Sequence, residues 1–109
     1  MSSQSKDLPL FATRLKAARE KAGISQMDLG VKAGIDEFSA SARINQYERG
    51  KHTPDYSTAC SLAKVLGVPT AYFYAEDEAL AEVITLFAAL DRDKQKSLIA
   101  SAKLLTSAT

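Results

Sequence analysis

One cysteine in 109 residues excludes an internal disulfide and any cysteine-based metal framework. The single histidine, His52, has no candidate co-ligand, so it reads as a surface loop residue, not a metal ligand. No apolar run is long enough to span a bilayer, and the opening MSSQSKD is polar and unlike a signal peptide. No membrane role is expected, and a reducing cytoplasm fits best. Also missing are a nucleophile with a base and an orienter, and a glycine-rich phosphate loop. An enzyme is therefore not expected, nor a cofactor. There is no internal repeat, low-complexity tract or linker. Charge of one sign is scarce too, with a net charge of only +1. It is unevenly spread: residues 1–75 carry ten Lys/Arg against seven Asp/Glu, and residues 76–109 carry four against six. Any footprint on nucleic acid must be local to one face of the basic part.

What is present is helical periodicity. Asp7 is a cap for a first helix with Pro9 in its opening turn. Leu8, Phe11, Leu15, Ala18 and Ala22 then recur at three- and four-residue steps, one buried stripe, and Gly23 ends it. Ser25 is the N-cap of a second helix, with Asp28 in a weakened capping box. Met27, Leu29 and Ala33 are its apolar contacts, and Gly34 terminates it. Gly30 inside this helix costs roughly 1 kcal/mol relative to alanine and makes sense where another helix crosses at close range. Asp55 caps a fourth helix with Tyr56, Ala59, Cys60, Leu62, Ala63 and Leu66 as its apolar set, closed by Gly67, with Cys60 as a small core hydrophobe. The segment TAYFY, residues 70–74, folds its aromatics back over the core.

The third helix lies within SASARINQYERGK, residues 39–51. Ala40, Ile44 and Tyr47 form an apolar seam, and Arg43, Asn45, Gln46 and Arg49 occupy the other side. Ser39 and Ser41 are both competent N-caps, with residues 35–38 as a connection, and Gly50 sits where a helix ends in positive φ. A helix this short persists only if its apolar side is held by other segments. A row of long donors and amides is then left facing outward.

Two helices joined tightly at Gly34, the second with an outward polar face, make a helix-turn-helix. The ordered set Gly23-Ile24-Ser25-Gln26, Leu29, Ala33-Gly34-Ile35, Tyr47-Glu48-Arg49-Gly50, Pro54 and Leu62-Ala63 through Gly67-Val68 resembles the Cro/repressor (XRE) type of bacterial and phage regulators. The resemblance covers about residues 11–74 and implies an all-α, five-helix domain whose third helix enters the DNA major groove. Positions matching the family's base readers are Ser41, Ala42, Arg43, Asn45 and Gln46. Arg43 suits a guanine, and Asn45 or Gln46 an adenine. Gln26, Arg49 and Lys51 match phosphate-holding positions, and Arg19 and Glu48 match a pair tying the first helix to the end of the third. One departure stands out. Gly34 to Ser39 leaves four intervening residues and Gly34 to Ser41 leaves six, so the third helix either starts at Ser39 or follows an enlarged loop. Measured back from Tyr47, the family pattern favours the later start.

The expected organisation is a flexible N-terminus over residues 1–7, the DNA-binding domain over 8–75 and a C-terminal helical hairpin over 76–109. Glu76, Asp77 and Glu78 open the hairpin, and Asp91 or Asp93 caps its last helix, which carries Leu98, Ile99, Ala102 and Leu105. The stripe Leu80, Val83, Ile84 and Phe87 exceeds what a small domain of this type needs for its core, so it is expected at a dimer interface. The resulting expectation is a homodimeric repressor reading a palindromic operator in double-stranded DNA. The alternative is an antitoxin or adaptor using the same fold to hold a protein partner.

Overall fold

The computed structural model describes residues 8–107, in which six α-helices and one 3-10 helix are joined by short turns. They are α1 (Leu10–Ala22), α2 (Gln26–Lys32), α3 (Glu37–Glu48), α4 (Tyr56–Leu66), the 3-10 helix (Thr70–Tyr74), α5 (Glu78–Ala89) and α6 (Arg92–Ser107). Asp7, expected to cap the first helix, lies outside the described residues. Within them, α1 begins only after Pro9, which stands at the N-cap with ψ 147°. The residue before a proline is driven out of helical conformation, so Leu8 stays outside and half exposed.

Local chemistry fixes the other boundaries. The Ser25 hydroxyl accepts from the Asp28 amide at 3.0 Å, the Asp55 carboxylate from the Thr58 amide at 2.9 Å, and Asp91 from the Lys94 amide at 2.9 Å. Of the two aspartates considered for the last helix, Asp91 is therefore the cap. The amide bond holds the Asp55 carboxyl below the usual carboxylate range.

One core joins α1 to α4 and the 3-10 helix: Phe11, Leu15, Leu29, Ile44, Tyr47, Ala59, Leu62, Ala63 and Phe73 are all buried. Cys60 is half-buried at its margin, and Met27 points outward. The expected lid of aromatics divides by position. Phe73 is fully enclosed against Phe11, Tyr72 packs on the core's edge, and Tyr74 remains half exposed.

The C-terminal helices hang from this core by a buried cation. Arg14 lies on the apolar stripe of α1, only 4% exposed. Its guanidinium donates twice to the Ala75 carbonyl, at 3.1 and 2.7 Å, and once to Glu78 at 2.9 Å, and it stands 5.6 Å from the Tyr72 ring centre. The start of α5 is thereby fastened to α1. A tight turn at Leu90–Asp91 leads into α6, joined to α5 by a 2.9 Å bond from the Gln95 amide to the Phe87 carbonyl. No described residue of α6 is buried. The radius of gyration is accordingly 16.1 Å, against about 13 Å for a compact domain of 100 residues.

Gly30 meets α3 as its position inside α2 suggests. A Cβ there would lie 2.7 Å from the Ala40 Cβ and 3.0 Å from the Ala40 Cα and carbonyl oxygen. Two of those three neighbours are backbone, so the helices would have to separate. Overpacking of this kind costs about 1–3 kcal/mol, partly offset by the roughly 1 kcal/mol that alanine gains over glycine in a helix. Gly30→Ala is therefore expected to lower stability by up to about 2 kcal/mol in thermal melts. Ala40→Gly in the same chain removes only the 2.7 Å contact with the Ala40 Cβ and should recover part of the packing loss. A Gly30→Ala protein melting at or above the parent would refute the close crossing.

Candidate nucleic-acid interface

The turn between α2 and α3 is built from four residues, Ala33–Asp36. Gly34 adopts φ 97°, which lets the chain reverse at the end of α2. The Gly34 amide donates to the Val31 carbonyl at 3.0 Å and the Ile35 amide to the Gly30 carbonyl at 2.9 Å, a Schellman closure with Ile35 tucked against the core. Asp36 then caps α3, its carboxylate accepting from the Phe38 amide at 3.0 Å. Both earlier alternatives for the start of this helix are thereby corrected. Ser39 and Ser41 lie inside α3, not at its cap, and there is no enlarged loop. Ala40 must be helical to seat on Gly30, which excludes a start at Ser41, and the Asp36 carboxylate takes the cap ahead of Ser39.

The far end of α3 closes by the same device at Gly50, φ 73°. The Gly50 amide donates to the Tyr47 carbonyl at 3.2 Å, and the Lys51 amide to the Gln46 carbonyl at 2.9 Å. Ala40, Ile44, Tyr47 and Glu48 form the buried side of the helix. Glu48 is the organising group there. Both its oxygens accept from Arg19, through Nε and Nη2, while Arg19 Nη1 donates to the Ile24 carbonyl at 3.0 Å. The hydrogen bond to Glu48 raises the Arg19 pKa above its ordinary value; partial burial opposes this, and the charges of Glu48 and Glu20 reinforce it. Arg19 and Glu48 thus lock the end of α1 to the last turn of α3.

The Gln26 amide nitrogen joins this cluster, 3.1 Å from a Glu48 oxygen and 3.3 Å from Asn45 Oδ1. The structure therefore places two expected DNA-contacting residues against each other, across the first turn of α2 and the third turn of α3. Ser41, Ala42, Arg43, Arg49 and Lys51 are exposed, and Asn45 and Gln46 are half-buried beside them. Sequence reasoning assigned residues 35–38 to a connection and so passed over Phe38. It stands in the first turn of α3 with its ring 90% exposed.

A second exposed surface is apolar. Leu80 and Val83 are about half exposed, and Ile84 and Phe87 are half-buried beside them on α5. Leu86 adds to α5, and Leu98, Ile99, Leu104 and Leu105 extend along α6. Among the described residues no group of three or more His, Cys, Asp or Glu is placed to hold a metal ion, and no helix is long and apolar enough to cross a membrane.

Comparison with known proteins bears on this arrangement directly. The family described as "Helix-turn-helix" matches residues 15–73. The HTH-type transcriptional regulator ImmR of Bacillus subtilis (strain 168) is 35% identical over 65 residues, which are 60% of this chain and 48% of that protein. The chain thus spans about half the length of that relative. The crystal structure of transcriptional regulator BswR superposes with a TM-score of 0.84 at 49% identity, covering 89% of this chain and 96% of that one. That share is too large to be held by residues 15–73 alone, so the likeness runs on into the C-terminal helices. The chain belongs to the Cro/repressor-type (XRE) helix-turn-helix family of transcriptional regulators.

Proposed function

We propose that this protein is a sequence-specific transcriptional regulator that inserts α3 into the major groove and represses by occupying its operator. The observation that carries this reading is the two-sided character of α3. One side is locked to α1 and α2 through Ala40, Ile44, Tyr47 and Glu48, and the other presents Ala42, Arg43, Asn45, Gln46 and Arg49. A major groove admits one α-helix, and its base edges carry a pattern of donors and acceptors that distinguishes every base pair. Arg43 suits a bidentate contact with guanine, and Gln46 or Asn45 with adenine. Ser41 lies at the edge of the same face. Arg49 and Lys51 follow at the end of α3, where their charges would fix register on phosphates, with Gln26 at the start of α2. The protein acts by binding, with no cofactor and no chemistry of its own, in the cytoplasm.

The apolar surface of α5 and α6 supports a homodimer. Burying Leu80, Val83, Ile84 and Phe87 against their counterparts would remove a patch that water disfavours. Twofold symmetry would set two copies of α3 about 34–36 Å apart, over successive major grooves of a palindromic operator. The same surface also suits a different polypeptide, as in an antitoxin or adaptor, and Leu104 and Leu105 near the end of α6 are its most exposed members.

The reading is tested by a mobility-shift titration on an operator selected from random DNA. Arg43→Ala and Gln46→Ala are each expected to weaken binding about 5- to 150-fold, the worth of a bidentate base contact of roughly 1–3 kcal/mol. Both residues lie outside the core, so the variants should melt with the parent. Affinities equal to the parent's in both would remove α3 as the reading element.

A further inference from the structure

The extra turn at the start of α3 carries Phe38, and its placement is specific. Successive residues of an α-helix turn by about 100°. Phe38, Ala42, Gln46 and Arg49 therefore fall within an arc of about 80°, opposite the buried seam of Ala40, Ile44 and Tyr47. The ring is 90% exposed and touches no aromatic partner. Asp36, accepting from the Phe38 amide, pins the residue in the first turn. In helix-turn-helix proteins the N-terminal residues of the reading helix are the ones that contact base edges.

We propose that Phe38 is a specificity residue that lengthens the reading face by one turn and selects a thymine through its 5-methyl group. The inference rests on the DNA reading above. A phenyl ring has neither donor nor acceptor, and the thymine methyl is the apolar feature of the major-groove edges. A phosphate contact at this turn is disfavoured, because the two residues before Phe38, Asp36 and Glu37, are exposed carboxylates. The ring also brings its contact area with only two side-chain torsions to fix, so little ordering is needed on binding.

The test replaces each thymine of the selected operator in turn by deoxyuridine, which removes the methyl and leaves every hydrogen-bonding group in place. At one position the parent should bind the uracil operator about fourfold more weakly, the value of one methyl group withdrawn from water. Phe38→Ala should bind the thymine and uracil forms alike, and should melt with the parent because the ring is outside the core. A thymine-to-uracil ratio unchanged by Phe38→Ala, or no position sensitive to the methyl, would overturn the proposal and leave the ring to a protein contact. Arg43→Ala and Gln46→Ala separate the two readings. If they lose affinity while the ratio ignores Phe38, only this assignment fails. If they bind as the parent does, or if the random pool yields no preferred sequence, the DNA reading falls and takes the assignment with it.

Discussion

Glu48→Ala is expected to cost about 3–5 kcal/mol of folding stability, the range for removing one partner of a buried ion pair. The Glu48 side chain is 3% exposed and that of Arg19 15%. The carboxylate accepts both Arg19 bonds and a third from Gln26, so its loss leaves a partly buried guanidinium without its counter-charge, held only by the Ile24 carbonyl, and Gln26 with Asn45 alone. Against a typical total of about 5–15 kcal/mol the loss is large. It should appear as a lower denaturant midpoint with an unchanged slope. Glu20→Ala, next to Arg19 in α1 but exposed, should stay within about 0.5 kcal/mol of the parent. A Glu48→Ala midpoint that close to the parent's would show the pair to be incidental. The double variant Arg19→Met with Glu48→Leu sharpens the argument, since apolar replacement of both partners is often neutral or even stabilising. Restored stability with weakened DNA binding would assign the pair to orienting α3. Gln26 and Asn45 would lose the carboxylate that fixes their mutual position.

Much of the fold was legible because the deciding interactions are local. Ser25, Asp55, Gly23 and Gly67 cap their helices as their residue types require, each through bonds within five residues. Gly30 announced a close helix crossing for the same reason: its only gain is the absent side chain. The start of α3 was not legible, since Asp36, Ser39 and Ser41 are all capable N-caps and lie within six residues. Ala40 packing on Gly30, a contact between two helices that no local pattern contains, excludes Ser41, and the Asp36 carboxylate takes the cap ahead of Ser39. Arg14 carries a signal in the sequence, a cation three residues after Phe11 and four before Ala18, on the buried stripe itself. A charge in that place calls for a buried acceptor, and the Ala75 carbonyl is that acceptor. Within the candidate interface, the outward residues Arg43, Asn45, Gln46 and Arg49 follow from helical spacing, whereas Ser41 and Ala42 come only from the family resemblance. Phe38 follows from neither, because its role depends on the misplaced boundary. For α5 and α6 the sequence shows apolar stripes, and their half-exposed residues are left facing outward. Periodicity reveals that a face is apolar without revealing what covers it.

Phe73→Ala should be as damaging as the loss of Glu48, for a different reason. Phe73 is fully enclosed, its ring centre 4.7 Å from that of Phe11 and 6.0 Å from that of Tyr72. The 3-10 helix that carries it packs on α1, α4 and α5. Truncating the ring gives up its burial and leaves a cavity that rigid helices cannot fill, at about 3–5 kcal/mol. At roughly 4–8 °C per kcal/mol for a chain near this size, the melt should fall by well over 10 °C. Phe73→Leu keeps most of the volume and should lose far less. Tyr74→Ala is the neighbouring control: its ring is half exposed, and it meets Phe11 only at 5.8 Å between centres. Equal melts for Phe73→Ala and Tyr74→Ala would mean that the 3-10 helix does not close the core. The two large effects also differ in what they do to DNA binding. Phe73 lies away from the Arg19–Glu48–Gln26 cluster, so Phe73→Ala protein assayed well below its melt should bind the operator as the parent does. Glu48→Ala assayed in the same way should not if, as proposed, α3 enters the groove, because the group it removes ties the last turn of α3 to α1.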